Sequence, residues 1–310
     1  MDSPSVWLRG NHHGHSNLSD GQDDPYEMLA AYEAAGYDYF ALSEHDLFVD
    51  PARYQGRTAM VVLPAVEITS VADQTLMYLG ATADIPPAHS LSLSEIVKLV
   101  DRAGGLFIVD HPNWFHKPPQ RHATVEEIAA APSVGAIEIY TGVIERLPGS
   151  PYALEVWDAL LTMGRRVFGH AVDDQHRAID RFLGWNCVQW PAGETPTPDR
   201  IIGALMEGRF YASTGVRIDT VGISDDGTEI TIASDASEIR WFTRDGMLAG
   251  VTPGGNGSLS VSEFRSLPRL EHFFRETDAL SDAIYVRAEL VGSGGTRAWT
   301  QPFHIERCSL

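Results

Sequence analysis

Two histidines one residue apart, His13 and His15, followed closely by Asp20 in Ser19-Asp20-Gly21, begin a series of side chains suited to binding divalent cations. The series continues with His45 in Glu44-His45-Asp46, Glu67, His111 in Asp110-His111-Pro112, Glu138, and then Asp174 and His176 in Asp173-Asp174-Gln175-His176. Imidazole suits zinc, iron or manganese, while carboxylates can bridge neighbouring cations and offset their charge. One His-x-His pair means little, because histidines at alternate positions of a strand also occur as ordinary core or surface residues. The full set implies metal-dependent hydrolysis, in which a hydroxide held between two cations would attack an ester. A phosphoester of a small molecule is the favoured substrate, a carbamate or carboxylic ester the alternative, and a noncatalytic metal- or ligand-binding protein the third reading. Glu67 and His170 are the catalytic candidates, His170 as proton donor to a leaving group or as a satisfied core histidine. Arg146, Arg177 and Arg181 could clamp an anion, although each alone also reads as a surface charge. Trp114, Trp157 and Trp185 are candidate pocket walls or core aromatics.

The force of the series lies in where it falls. From residue 6 to about residue 211, short β-branched or aromatic runs alternate with helical patterns, which favours parallel strands joined by helical crossovers. Strands are predicted at residues 6–9, 39–42, 60–66, 106–109, 136–140, 167–169 and 185–190, with an additional one at 75–79. Helices are predicted at 25–35, 94–103, 151–163 and 197–207, each ended by glycine, with a short one capped by Thr124 and Glu127. Nearly every strand is followed within a few residues by a member of the series. In a barrel of parallel strands the carboxyl ends share one face, so these side chains would converge on one bowl. Beyond residue 213 the texture changes to strands at 228–233, 238–243, 283–290 and 298–305, with a short helix at 261–266. The expected organisation is a metal-binding barrel over residues 1–215 and a small antiparallel, β-sandwich-like domain over residues 216–310.

With 310 residues, 44% hydrophobic and 21% charged, the chain can bury a large core. A formal net charge of -19 argues against nucleic acid or an anionic membrane as partner, since both require a basic face, and leaves a small-molecule substrate. Lys98 and Lys117 are the only lysines. The amidohydrolase barrel, which also opens with His-x-His but often relies on a modified lysine at a strand end, therefore fits poorly. Cys187 and Cys308 lack any short metal or redox spacing and are expected to be thiols. No signal-like N-terminus and no apolar run near ~20 residues is present, so the cytoplasm is the expected location.

These residues resemble the polymerase and histidinol phosphatase (PHP) family through His13-x-His15 with Ser19-Asp20-Gly21, Glu44-His45-Asp46, Val66-Glu67-Ile68-Thr69, His111-Pro112 and Asp174-x-His176. Further stretches are similar to the branch that includes carbaryl hydrolases: Arg9-Gly10-Asn11, Trp157-Asp158-Ala159-Leu160-Leu161, Gly208-Arg209-Phe210-Tyr211-Ala212-Ser213-Thr214-Gly215 and Ala298-Trp299-Thr300-Gln301-Pro302. The resemblance implies a distorted (β/α)7 barrel holding two or three divalent ions, Mn, Fe or Zn. It implies one ion on His13, His15, Glu67 and Asp174, a second shared by Glu67 and His111, and a third on Asp20, His45 and His176. This chain departs from the pattern at Gln74-Thr75, where relatives often have a histidine, leaving the second ion the fewest ligands. His12 replaces a usually apolar residue and reads as structural.

Overall fold

The computed structural model describes residues 5–83, 85, 88–100, 104–116, 121–265 and 284–305. Lys117, Cys308, residues 101–103 of the predicted second helix, residue 266 and residue 283 lie outside the described residues. The chain divides into two units, residues 1–153 with 167–210, and residues 154–166 with 211–310.

The first unit contains strands β1 (Ser5–Asn11), β2 (Tyr39–Leu42), β3 (Val61–Thr69), β4 (Thr75–Leu79), β5 (Leu106–Val109), β6 (Ala136–Thr141), β7 (Phe168–Val172) and β8 (Trp185–Pro191). Its helices are α1 (Pro25–Ala34), α2 (Leu93–Val100), α3 (Val125–Ala129) and α5 (Pro198–Met206); the intervening α4 (Leu154–Thr162) groups with the second unit. Local chemistry explains the helix starts. Asp24 caps α1 by accepting the Tyr26 N–H at 2.8 Å with Pro25 in the first turn, and Thr124 and Glu127 form the expected reciprocal box on α3.

The sheet of this unit is mixed and mostly parallel. β1, β2 and β3 are parallel neighbours, as are β5, β6 and β7. β4 is inserted between β3 and β5 and runs against both, and β8 runs against β1. Seven parallel strands are therefore not what forms: the segment at 185–190 is reversed. Residue alternation specifies which face a strand buries and not which way it runs, so the reversal leaves no mark in the pattern.

Alternation along the strands separates two apolar layers. Tyr39, Ala41, Leu63, Ala65, Met77, Leu79 and Ile108 share one cluster with Ile201, Ala204 and Leu205 of α5, while Phe40, Leu42 and Val62 face Met28, Leu29 and Tyr32 of α1. Gly10 permits a close approach within the sheet, since a Cβ there would lie 2.3 Å from the Tyr39 ring.

In the second unit all the described pairings are antiparallel. β10 (Ile218–Ile223), β11 (Glu229–Ser234) and β14 (Asn256–Ser260) form one sheet. β13 (Met247–Pro253), β12 (Glu238–Thr243), β15 (Ile284–Val291) and β16 (Arg297–Thr300) follow in another, with β9 (Phe210–Ser213) beside β16 and β17 (Phe303–Ile305) beside β15. The short α6 (Val261–Arg265) follows β14. Helix α4 is tied to β15 by a buried ion pair: Arg287 donates from Nε and one Nη to the two Asp158 oxygens at 2.7 and 2.6 Å, and the Tyr285 hydroxyl donates to Asp158 at 2.8 Å. Trp157, predicted as pocket wall or core, is fully buried beside this guanidinium. Replacing Arg287 with leucine leaves the Asp158 carboxylate buried without its counter-charge, and breaking such a pair costs about 3–5 kcal/mol. The expected result is a lower urea midpoint with unchanged metal content; an unchanged midpoint would contradict it.

Among the described residues no helix is long and apolar enough to cross a membrane.

Candidate metal centre

The carboxyl ends of the parallel strands of the first unit are stitched together by backbone hydrogen bonds that continue beyond the strands. Asp174 N–H donates to the His13 carbonyl at 3.1 Å and His15 N–H to the Gln175 carbonyl at 2.8 Å, joining the segments after β7 and β1. Ser43 N–H to Gly14 and Asp46 N–H to Glu67 join the ends of β1, β2 and β3. Gly21 lets the Asp20 loop fold back, because a Cβ there would lie 2.0 Å from the His15 carbonyl oxygen. Glu44 is buried beneath that loop and accepts from the Ser16 N–H at 3.0 Å and from the hydroxyls of Ser16 and Ser19. Three non-glycine residues at these ends have positive φ: Asp46 at 52°, His111 at 26° and Asp174 at 52°. Strained backbone of this kind persists where the surroundings over-determine it, and it concentrates at functional sites.

The stitching brings eight of the nine predicted ligands face to face. Glu67 Oε2 lies 3.4 Å from His13 Nε2, 3.0 Å from His15 Nε2 and 3.1 Å from His45 Nδ1, and Glu67 Oε1 lies 3.6 Å from His111 Nε2. Asp174 Oδ1 is 3.2 Å from both His13 Nε2 and His15 Nε2 and 3.5 Å from His176 Nδ1. Asp20 Oδ1, at the exposed side, is 3.3 Å from His176 Nε2 and 3.6 Å from His45 Nε2. The ligand atoms fall into compact groups: His13, His15 and Asp174; His13, Glu67 and His111; His15, Asp20, His45 and His176.

The donor set fits divalent cations. Both oxygens of Glu67 and Oδ1 of Asp174 are buried and accept no hydrogen bond, although imidazole nitrogens lie 3.0 Å from Glu67 Oε2, 3.6 Å from Glu67 Oε1 and 3.2 Å from Asp174 Oδ1. Buried carboxylate oxygens are normally hydrogen-bonded, so lone pairs that converge without a proton between them mark a position for a cation. The electrostatics agree. Burial alone would lower the basicity of His13, but Asp174, Glu138 and Glu67 raise it well above the ordinary histidine value. Burial likewise opposes protonation of His15, yet the adjoining Asp174 and Glu67 carboxylates push it up to about 10. Burial would raise Glu67 and Asp174, and the surrounding histidines instead hold both well below the usual carboxylate range.

Glu138, read as the ninth ligand, stands apart from the other eight, in a compact group with His13 and Asp110, and makes hydrogen bonds of its own. Its Oε1 faces His13 Nδ1 at 2.5 Å, and its Oε2 accepts the His111 N–H at 2.9 Å and the Thr141 hydroxyl at 2.8 Å. This leaves His13 Nε2 as the nitrogen facing the cluster, the arrangement that second carboxylates impose on metal-bound histidines. Glu138→Gln is expected to weaken metal binding about 10- to 100-fold at retained fold. Metal titration with a competing chelator checks this, and unchanged affinity would show that the contact is incidental. Asp110, with its carboxylate buried between Glu138 and His13, is held well above the usual range by burial and by Glu138.

Three predicted site residues are placed differently. His170 is fully buried in β7 against Phe210 and His12, its ring centroid 4.5 Å and 4.8 Å from theirs, and does not line the cleft; burial and His12 hold its pKa well below the ordinary value. Proton transfer from this ring to a substrate in the cleft finds no support in its position. His12 is buried and lowered to about 3 by burial and by His13, in keeping with its structural reading. Arg181 is bound to Asp23 and lies outside the cleft lining. Arg146 lines the cleft but donates from Nε and Nη to Asp180 at 2.6 and 2.9 Å, and Asp180 in turn accepts the backbone N–H groups of His176 and Arg177. Arg146 thus fixes the loop that bears His176. Arg177 lines the cleft and is exposed.

The cleft has a volume of about 350 Å³ and is lined by Asp20, His45, Glu67, His111, Asp174 and His176 together with Trp114, Val143, Ile144 and Leu147. Trp185, the remaining wall candidate, instead stacks under the Arg9 guanidinium, 3.7 Å from the ring centroid. His122 has no positional claim on the site in the sequence, because it follows His111 by eleven residues with no strand before it. It stands behind the site, its ring 4.4 Å from that of His111, and its Nε2 accepts the Thr75 N–H at 2.8 Å. Thr75 itself lines the cleft, in the segment where the resemblance led one to look for a histidine.

No protein-family model matches the chain, and no curated protein does. Solved structures do match. A two-domain protein from Bacteroides vulgatus, containing a PHP-like domain predicted to be a metal-dependent phosphoesterase, superposes with a TM-score of 0.56 at 14% identity, covering 99% of this chain and 97% of that one. A candidate metal-dependent phosphoesterase from Bifidobacterium adolescentis (TM-score 0.44, 14% identity, 63% of this chain and 94% of that one) and an amidohydrolase from Chromobacterium violaceum (TM-score 0.43, 17% identity, 65% and 96%) are more distant. The chain shares the fold of the PHP-like two-domain protein along nearly its whole length.

Proposed function

We propose that the protein is a metal-dependent hydrolase, a phosphoesterase acting on a small-molecule ester, whose first unit is a distorted barrel with its ligands at the mouth. One observation carries the reading: five histidines and three carboxylates converge at an open cleft that six of them line, with both Glu67 oxygens and Asp174 Oδ1 buried without a hydrogen bond. His13, His15, Glu67 and Asp174 would hold one Mn, Fe or Zn ion, Glu67 and His111 a second, and Asp20, His45 and His176 a third. When bound, such ions supply an acidified water and positive charge that stabilises developing negative charge. In hydrolysis the water oxygen joins phosphorus, the bond to the leaving oxygen breaks, and the alcohol departs with a proton. The chain's own residues set the stage for that exchange. Glu138 orients His13, Arg146 and Asp180 hold the His176 loop, and Trp114 with Val143, Ile144 and Leu147 keeps water from one side of the cleft.

A second reading keeps the cluster and makes the electrophile a carbamate or carboxylic ester. It is favoured by the apolar part of the lining and by the commitment of Arg146 to Asp180, which leaves fewer cations for a phosphate. Aryl phosphates set against aryl acetates and carbamates, with Mn-, Fe- or Zn-loaded protein, separate the two. Turnover of phosphates supports the first reading; turnover of the others alone overturns it; filled sites without turnover of any ester indicate a binding protein.

A further inference from the structure

The metal-ligand residues occupy only part of the cleft, which is completed by an apolar wall of Trp114, Val143, Ile144 and Leu147 and by the polar Gln22, Thr75, Arg146 and Arg177. Val143 and Ile144 sit in the single turn of 3-10 helix that follows β6 (Gly142–Arg146), with Leu147 next in sequence. That turn is fastened twice: the Val143 N–H donates to the Asp173 carbonyl at 2.8 Å, and Arg146 is paired with Asp180. Trp114 is braced edge-on by His111 at 5.1 Å between ring centroids and by the tilted ring of His122 at 5.4 Å. A preformed apolar wall beside a cluster of charged ligands is the composition of a site that grips one polar head and one apolar group. Of the two arginines in the lining, Arg146 has its charge answered by Asp180, whereas Arg177 is exposed and forms no ion pair among the described residues.

From this we infer the substrate class of the site: an ester whose anionic or ester head lies at the histidine cluster, whose leaving group is apolar and about the size of one ring, seated on Trp114, Val143, Ile144 and Leu147, and whose remaining negative charge is met by Arg177. The inference rests on the hydrolase reading, and at about 350 Å³ the cleft has room for one such molecule. Specificity then resides in the wall and not in the metal ligands, because the ligands act on any ester head alike.

The test compares benzyl phosphate with glycerol 3-phosphate on the Mn-loaded full chain. Their leaving alkoxides are of similar basicity, so a difference in kcat/KM reports on the wall. The expected preference for benzyl phosphate is about tenfold or more, the scale on which apolar pockets discriminate. Leu147→Asn reduces that ratio with metal content unchanged, and Arg177→Gln raises KM for both esters. In parallel, binding of benzylphosphonate and of 2-hydroxyethylphosphonate is measured by calorimetry. A benzyl preference in binding with no turnover of any ester would overturn the hydrolase reading, and would keep the wall as the seat of an apolar ligand group while removing its role toward a leaving group. Equal or reversed preference in both assays, or no binding of either phosphonate, would overturn the inference.

Discussion

Glu67→Gln is expected to lose at least one metal ion per chain and to lower kcat by more than about 10²-fold, a loss that even partners outside the ligand sphere approach. The substitution preserves volume in a position that is 1% exposed, so the effect isolates charge. Four imidazoles, those of His13, His15, His45 and His111, lie within 3.0–3.6 Å of the carboxylate it removes. Nothing else in the cluster touches all four. An amide offers one neutral acceptor oxygen and an NH₂ donor that must turn toward a basic nitrogen or a cation, and neither choice can bridge. Normal metal content with normal turnover would show that Glu67 does not join the ions.

The second large effect is expected when metal is stripped. At a thousandfold excess over Kd, bound metal stabilises the fold by about 4 kcal/mol, which for a unit of this size corresponds to a melting shift of about 8–16 °C. The size of the shift should depend on pH in a direction the site dictates. His15 in the metal-free fold is raised from 6.5 to about 10, so the stability it contributes is fully present below about 6.5 and is lost as the pH climbs toward 10. His13 and His176 are raised as well and act in the same sense. Asp174 and Glu67 are depressed from 3.8 and 4.5, so their contribution is present above those values and lost only as the pH falls below them. Buried His12 and His170, held below the ordinary histidine value, oppose stability below about pH 6.5, so stripped protein is expected to melt progressively lower from about pH 6.5 toward pH 10, while metal-loaded protein gains over the same interval. Metal uptake below pH 10 should release protons, measured by calorimetry in buffers of different ionisation heat. A stripped protein whose melting point rises from pH 6.5 to 10, or uptake without proton release, would contradict the arrangement.

How much of this was legible in the chain depends on the range of the interaction that decides each feature. His13, His45, His111 and Asp174 follow short apolar runs, and residues just past the ends of parallel strands share a face whatever else the fold does. Those positions could be read locally. The direction of β8 could not, because Trp185 to Trp190 shows the same alternation whichever way it runs beside β1. The fate of His170 turned on depth along β7: it pairs in register with Glu138, in the body of the sheet and not at its end, a distance of four residues from Asp174 that spacing alone leaves ambiguous. Arg181 was misplaced for another reason, since its partner Asp23 is 158 residues away, as is the grouping of α4, which rests on Asp158 meeting Arg287 across 129 residues. Glu138 was identified as part of the site, but whether a strand carboxylate faces a cation or a histidine's far nitrogen is decided by sub-ångström placement. The support behind the ligands, Glu44 under the Asp20 loop and His122 behind His111, has no motif of its own.

Elemental analysis of the full chain, purified without chelator and then reconstituted with manganese, iron or zinc, tests the central claim most directly. Two to three tightly held ions per chain are expected, falling by at least one in Glu67→Gln. Fewer than one ion per chain with every metal offered, in protein that is folded, would contradict the assignment of the histidine and carboxylate cluster as a metal centre.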